Sequence, residues 1–502
     1  ICIRFNLNMN SKIILFTHTI FLVIFFILLR YNDNLDELIF SDLFYVFLII
    51  IPIIVGFTIL LKILIKNQIK STLLSSFILG LFFIYQPIWS ALHGFQIANI
   101  EIGRNIILLP IIGIISIIII YKFMKSKKDF RKILTISYGI ILILIIFNVT
   151  EIVYYSTFND SNIDEQLIKK FSKELSEFRD VYYIILDEHS STEALEKYMN
   201  YDNSDFDKSL ESMGFFIPEK SFSNYIDTRH SIPATLNMNY IEFDSELSVK
   251  EKENKLTKMV QNNAVTKIFE NNGYNVIQFY NEFNMKIKTN TNIELCNENI
   301  GKSQFLSFVL DNTPLIFVEK FTNQEYDEYK KNRLCIFNEM PILDEKYIQP
   351  IFVYAHILLP HTPYLFTYNG SSTSYDNKME VNSERYISQL QFTDKKILEL
   401  VKKLLEKETP PIIVIQSDHG YRVGTNNYAE IDQSFSNFSA FYFPEAVIED
   451  SENSFTNVNS FRILFNTNFG TNYEIIENKL FSIKFATPED ITDILTSENT
   501  VN

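Results

Sequence analysis

Five long apolar runs in the first 150 residues limit the possible folds of this chain more than any other feature. They are Ile13–Leu29, Phe44–Ile65, Leu73–Trp89, Ile106–Tyr121 and Ile133–Phe147. A helix that crosses a bilayer needs roughly 20 mainly apolar residues, with about 17 as the lower limit. Lipid offers no hydrogen bonds, so a run that enters it must satisfy its own backbone and folds as a helix. The fifth run is the shortest and is weakened by Thr135, Ser137 and Tyr138. A cleaved signal peptide would account for the first run but not for the four that follow.

The connecting loops predict an orientation. Arg4 and Lys12 precede the first run. The next loop sets Asp33, Asp36, Glu37 and Asp42 against Arg30, and the one after it carries Lys62, Lys66 and Lys70. Glu101 and Arg104 follow the third run; Lys122, Lys125, Lys127, Lys128, Arg131 and Lys132 follow the fourth. Basic loops alternate with acidic or neutral ones. The N-terminus is therefore expected in the cytoplasm and everything beyond Phe147 outside it, as a multi-pass protein of the cell (plasma) membrane. Trp89, the only tryptophan, falls at a span end, where indoles anchor. No run carries the buried charge pairs of a transporter. An anchor needs one span only, so five leave two readings open: a passive anchor, or a bundle that presents a lipid-linked substrate. The chain begins with Ile, and Met9 is a candidate true start.

Beyond residue 150 the composition turns acidic and rich in Tyr and Phe. The formal net charge of −15 argues against a phosphate-backbone partner, so no nucleic acid is expected. No obligate protein partner is evident. Three cysteines are too few for a metal cluster or a disulfide scaffold. Cys296 and Cys335 lie in the later part, either paired in an exported domain or as two free thiols. Three domains are expected: 1–150 as a transmembrane helical domain, 151–178 as a connector with an amphipathic helix over Asp164–Phe178, and 179–502 as an extracytoplasmic catalytic domain.

In this last part, Val181–Leu186 (VYYIIL) and Pro411–Gln416 (PIIVIQ) read as buried strands, because both faces are apolar and β-branched residues abound. Tyr274–Tyr280, Ile351–Ala355 and Phe438–Phe443 read as further strands. Between them fall helices at Glu193–Met199, Phe206–Met213, Ala264–Glu270 and Ser383–Glu408. Strands alternating with helices predict an α/β fold: a mostly parallel sheet sandwiched by helices, behind the five-helix bundle. Residues 281–345 are Asn-rich and read as an inserted lobe.

Chemistry in such sheets gathers past the carboxyl ends of the strands. The first strand ends in Asp187 and Glu188, the second in Asp418 and His419. Of the seven histidines, His18 and His93 lie in the membrane part; His189, His230, His356, His361 and His419 all fall at strand ends or in the loop NYIDTRHS. Asp187, Asp418 and His419 are candidate ligands of one divalent cation. Each acid could instead cap a helix, and Glu188 could be either structural or supporting. Thr228 either caps a helix, as a loop threonine commonly does, or is a candidate nucleophile, since a hydroxyl on a cation reacts at neutral pH. Arg229 and His230 beside it either suit an anionic ester or form a solvated basic turn. His361 is placed to donate to a substrate oxygen, and His356 to contact substrate or to pack as a support.

These segments together (the strand with LDE, the NYIDTRHS loop, HILLPHTPY and the strand with SDHG) resemble the sulfatase/alkaline phosphatase superfamily over about residues 179–445. The NSFRILFN segment around Phe461 is similar to its membrane members. Five spans before an external domain resemble lipoteichoic acid synthase and, more loosely, the phosphoethanolamine transferases. The resemblance implies Asp187, Thr228, Asp418 and His419 as metal-binding residues, with one Mn²⁺, Mg²⁺ or Zn²⁺. It implies Thr228 as the nucleophile, and His361 as a substrate contact. Sulfatases that carry formylglycine use a Cys/Ser-x-Pro-x-Arg run, which Thr228-Arg229-His230-Ser231 lacks, so sulfate-ester hydrolysis by that route is not expected.

The expected activity is transfer of a phospho-head-group (phosphoglycerol or phosphoethanolamine type) from a membrane lipid donor to an envelope glycan or lipid acceptor, through a phospho-threonine. Hydrolysis of a sulfuric or phosphoric ester is the alternative. A non-catalytic envelope protein with a degenerate site is a third reading, and retention of both Asp187 and Asp418 counts against it.

Overall fold

The computed structural model describes residues 11–35, 40–93, 95–97, 100–101, 103–158, 163–172, 178–244, 246–281, 285–297, 304–315, 324–373, 382–422, 428–446, 448, 455–484 and 486–492. The chain divides into two compact units, Ile1–Asp160 with Asn299–Gln324, and Ser161–Glu298 with Glu325–Asn502.

The first unit is helical: α1 (Ser11–Asp33), α2 (Phe40–Ile65), α3 (Gln68–Phe83), α4 (Tyr85–Leu92), α5 (Asn105–Lys125) and α6 (Arg131–Phe158), with a short antiparallel pair, β1 (Gln96–Ile97) and β2 (Ile100–Glu101). Among the described residues, four helices are long and apolar enough to cross a membrane, and five if α3 and α4, bent by 48°, form one broken span. These helices mark a membrane protein. The bend has a local cause: Pro87 has no N–H to offer the preceding turn of the helix. Polar side chains tie the helices together inside the apolar stripe. His18 Nδ1 lies 2.8 Å from Ser76 Oγ and its Nε2 lies 2.8 Å from Ser137 Oγ, which joins α1 to α3 and α6. The stretch Asn299–Gln324 also belongs to this unit. Its helix α12 (Gln304–Asp311) buries Phe305 and Val309 in the same apolar cluster as Val23, Ile27, Val46 and Phe83.

In the second unit a six-stranded sheet runs in the order β6-β5-β7-β3-β8-β9. The strands are β3 (Val181–Leu186), β5 (Asn275–Phe279), β6 (Ile293–Leu295), β7 (Ile351–Ile357), β8 (Ile412–Gln416) and β9 (Ser439–Tyr442). All neighbours pair in parallel except β8 with β9. A separate two-residue strand, β4 (Ser221–Phe222), pairs with Phe455–Thr456. Alternation along β3 fills two cores: Tyr182, Ile184 and Leu186 enter one, and Val181, Tyr183 and Ile185 the other. Helices cover both faces, including α7 (Thr192–Met199), α8 (Ser204–Ser212), α9 (Thr228–Leu236), α10 (Val249–Gln261), α11 (Ala264–Asn271) and the long Ser383–Leu405 helix. The mostly parallel α/β fold expected from sequence is the observed one.

Register sets the functional edge. Ile185 of β3 is level with His356 of β7 and with Gln416 of β8. Asp187, His356 and Asp418 therefore emerge together at the carboxyl edge of the sheet.

Two expectations need revision. Asp164–Phe178 is not an amphipathic helix: the described part has one 3-10 turn, Glu165–Leu167, and residues 173–177 lie outside the described residues. Tertiary partners claim its backbone instead. Phe171 N donates to Asn272 Oδ1, Ser172 N donates to the Phe469 carbonyl, and the Phe171 ring stacks on Phe469 at 4.1 Å. Of the inserted lobe, Asn299–Gln324 belongs to the helical unit, while the residues on either side of it remain with the sheet. Cys296 and Cys335 are disulfide-bonded, with Cα atoms 5.6 Å apart.

Candidate active site

β3 delivers two acids to different partners. Asp187 N extends the ladder by donating to the Ile357 carbonyl at 3.0 Å. Glu188 then adopts a left-handed φ of 65°, uncommon for a residue with a Cβ. The Asp187 carboxylate is fully buried, and its Oδ2 lies 3.1 Å from His356 Nε2. The Glu188 carboxylate meets the segment after Gly420: its Oε1 accepts from Arg422 N at 3.0 Å.

β8 delivers Asp418 and His419. Asp418 Oδ1 accepts from the backbone N–H groups of Glu188 (3.1 Å) and His419 (3.0 Å). Its Oδ2 makes no hydrogen bond, nor does Asp187 Oδ1, among the described residues. Ligand atoms of Asp187, His356 and Asp418 lie within 4.8 Å of one another. His419 Nδ1 stands 2.8 Å from the Gly420 carbonyl, which only accepts, so the proton sits on Nδ1 and the neutral ring keeps its lone pair on Nε2. That lone pair faces Thr228 Oγ1 at 3.2 Å and lies 3.4 Å from Asp418 Oδ2. Gly420 is required here: a Cβ would come within 2.3 Å of the Gln433 carbonyl oxygen.

Thr228 is the first residue of α9. Asp227 caps that helix by accepting from His230 N at 2.9 Å. It also accepts from His230 Nδ1 at 2.7 Å. Burial pushes the Asp227 carboxyl up, but the His230 contact outweighs it and leaves the group below its usual range. The helix is tied to the end of β8 by Ser231 Oγ, which donates to the Asp418 carbonyl at 2.6 Å, and Asn457 Nδ2, from another part of the chain, bridges that carbonyl (3.2 Å) and Ser231 Oγ (3.3 Å).

The site thus brings together Asp187, Thr228, His356, Asp418 and His419. His361 stands at its rim. Its Nδ1 donates to the Thr362 carbonyl at 2.6 Å, and its Nε2 accepts from an Arg422 Nη2–H at 3.1 Å. His230 is buried behind Thr228 against Asp227. Arg229 is not brought in: its side chain is 68% exposed and pairs with Glu253 at 3.1 Å. The first residues of a helix fan outward about 100° apart, so Thr228 and Arg229 point different ways.

Three features escape a reading of the sequence alone. Arg422 and the role of Glu188 carry no local signal beyond their position beside LDE and SDHG. Asp394 does carry one, an acid within the apolar stripe of the Ser383–Leu405 helix. Its Oδ1 takes His189 Nε2 at 2.8 Å while Nδ1 of the same ring meets the Ser190 carbonyl at 3.0 Å, so His189 supports the strand end and does not open onto the site.

The residues fit a divalent cation. Two buried carboxylates this close repel each other, and each keeps one oxygen free of hydrogen bonds. The donors around these oxygens (a hydroxyl and an imidazole lone pair) are those that hard and borderline cations accept.

Fold and site together define a membrane-embedded α/β enzyme with a candidate metal centre at the carboxyl edge of its sheet. Residues 216–442 match the family model described as Sulfatase. Over that stretch, a little under half of its length, the chain carries a sulfatase-like domain. No curated protein matches it. Among solved structures, it is similar to the C-terminal periplasmic domain of EcEptC from Escherichia coli, at 13% identity over 64% of this chain and 96% of that one, TM-score 0.40. It is similar to the integral membrane lipooligosaccharide phosphoethanolamine transferase A (EptA) from Neisseria meningitidis, at 13% identity over 90% of this chain and 94% of that one, TM-score 0.37. It is also similar to the lipoteichoic acid synthase LtaP from Listeria monocytogenes, at 10% identity over 62% of this chain and 76% of that one, TM-score 0.34.

Proposed function

We propose that the protein transfers a phospho-head-group from a membrane lipid to an envelope glycan or lipid acceptor, with Thr228 Oγ1 as the nucleophile. The observation that carries this reading is the convergence of Thr228, His419, Asp418 and Asp187, each linked to the next by the short separations above, from three distant parts of the chain. Asp187, Asp418, His419 and Thr228 would hold the cation, with His356 orienting Asp187 through the 3.1 Å contact. When bound, a divalent ion (Mn²⁺, Mg²⁺ or Zn²⁺) lowers the proton affinity of the hydroxyl and offsets charge on the phosphoryl group.

Thr228 Oγ1 attacks the phosphorus of the donor, and the bond from phosphorus to the lipid oxygen breaks. The proton given up by Thr228 passes by way of solvent to the lipid oxygen, and the lipid leaves as an alcohol. Thr228 then carries the head group as a phosphodiester. A hydroxyl of the acceptor attacks the same phosphorus, and Thr228 departs as its alcohol. The N-terminus of α9, where Thr228 lies, favours negative charge. His361 lies at the rim, with its Nε2 accepting from Arg422 Nη2 at 3.1 Å. The disulfide supports an extracytoplasmic location for the sheet domain, because such bonds persist on the oxidising side of the membrane.

The Sulfatase match also favours a second reading in which water replaces the acceptor and the head group is hydrolysed off. Full-length protein in detergent, given a phospholipid labelled in its head group, separates the two: transfer labels the glycan or lipid acceptor, hydrolysis releases free head group. Thr228→Ala and Asp418→Asn should each remove turnover by several orders of magnitude. Full activity in both would end this account.

A further inference from the structure

Arg422 is a cation beside the site that the proposed mechanism has not used. Its backbone is fixed, since Arg422 N donates to Glu188 Oε1 at 3.0 Å. Its guanidinium lies against the same carboxylate, with Nε 3.7 Å from Glu188 Oε1. Glu188 itself is held on both sides: its N–H donates to Asp418 Oδ1 at 3.1 Å and its carbonyl accepts from Tyr386 Oη at 2.8 Å. The left-handed φ of 65° at Glu188 is the backbone strain that turns this carboxylate away from Asp187 and toward Arg422. The far end of the guanidinium, Nη2, donates to His361 Nε2 at 3.1 Å. An imidazole lone pair is a weaker partner for a guanidinium than a phosphate oxygen, which pairs with it in a charge-assisted, bidentate way. The Arg422 side chain is 42% exposed while that of Glu188 is 6% exposed, so the counter-charge is the more deeply buried of the two.

We propose that Arg422 is the substrate's anion receiver: braced by Glu188, its guanidinium leaves His361 Nε2 for a non-bridging phosphate oxygen of the donor, which uncovers the His361 lone pair for a hydroxyl. This rests on the phosphotransfer reading above and assigns it a recognition residue. It also gives His361 a two-state role. With Nδ1 tied to the Thr362 carbonyl, its Nε2 is an acceptor, covered by Arg422 at rest and open once the anion has arrived. Glu188 is a positioning residue in this scheme.

The test uses full-length protein in detergent with its metal content measured, and inorganic phosphate as the probe, read by calorimetry and by inhibition of transfer. Arg422→Met should weaken phosphate binding and raise the donor KM on the order of tenfold or more, the scale of a lost charge-assisted hydrogen bond, with metal content unchanged. Arg422→Lys keeps the charge without the fork and should fall between. Glu188→Gln should raise the donor KM less than Arg422→Met does, and adding Glu188→Gln to Arg422→Met should change it little further. Thr228→Ala should still bind phosphate while losing transfer, which separates recognition from the nucleophile assignment. Phosphate affinity and donor KM within twofold of wild type in metal-replete Arg422→Met would overturn the inference and leave the Thr228 reading standing. A larger loss from Arg229→Met than from Arg422→Met would also overturn it. A wild-type protein that binds neither metal nor phosphate would sink both.

Discussion

His419 Nε2 stands 3.2 Å from Thr228 Oγ1 with its other nitrogen locked on the Gly420 carbonyl at 2.8 Å. One carbonyl thereby fixes which face of the imidazole carries electrons, and that face meets the hydroxyl. Thr228→Ala should therefore abolish formation of a covalent head-group adduct, read as a mass increase on the intact protein. Thr228→Ser, which keeps the oxygen, should retain part of it. Melting temperature should change little for Thr228→Ser, since only a methyl group is lost.

Removing the cation should cost stability, because Asp187 and Asp418 are buried with unmatched oxygens. A ligand that binds only the folded form at a hundredfold its dissociation constant adds about 2.7 kcal/mol. Chelation should lower the melting temperature, and added Mn²⁺, Mg²⁺ or Zn²⁺ should restore it. In Asp418→Asn this metal-dependent shift should shrink or vanish. A shift equal to wild type in that variant would contradict the site.

Asp180 should make stability fall as pH rises. Its carboxyl is pushed from the ordinary 3.8 to about 6, chiefly by burial and also by nearby Asp344, against the opposing effects of Ile351 N–H and Lys407. The folded form then binds the proton more tightly than the unfolded one. This contribution is complete below about pH 4 and is lost as pH climbs through about 6. The move is worth at most about 3 kcal/mol. Asp180→Asn should flatten this window, so the difference between the melting curves of wild type and variant should grow from pH 4 to 6 and then level off.

The His18 ties should matter to the helical unit alone. Interhelical hydrogen bonds within membranes average about 0.6 kcal/mol and reach about 1.7. His18→Leu removes two, to Ser76 and Ser137. Detergent unfolding should show a loss of roughly 1–2 kcal/mol, while metal content stays at the wild-type level.

Reduction should loosen the sheet domain. The Cys296–Cys335 bond joins residues 39 apart. Bonds closing loops of this size typically contribute about 2–4 kcal/mol. Cys296→Ser with Cys335→Ser should lower the melting temperature in the absence of reductant and make it insensitive to added reductant.

The two-part plan was legible in the residues themselves. Membrane helices leave uninterrupted apolar runs, and buried parallel strands leave short β-branched ones, so both are local signals. The β-branched run Val181–Leu186 and the strand share the same limits. The acids and histidines past these strands stood out because polar groups there interrupt apolar stretches. Asp164–Phe178 looked helical because its apolar spacing is local, while the groups that hold it extended, Asn272 and Phe469, lie about a hundred and three hundred residues away.

What the linear order left undetermined was direction. Asp187 and Glu188 are adjacent acids, and one dihedral, the φ of 65° at Glu188, sends one to His356 and the other to Arg422. Thr228 and Arg229 are adjacent too, and the start of α9 turns one toward His419 and the other toward Glu253. Composition and period fix which segments are buried, because burial depends on how apolar a stretch is. Which neighbour faces the site depends on backbone angles and on partners far along the chain, and only the folded molecule sets those.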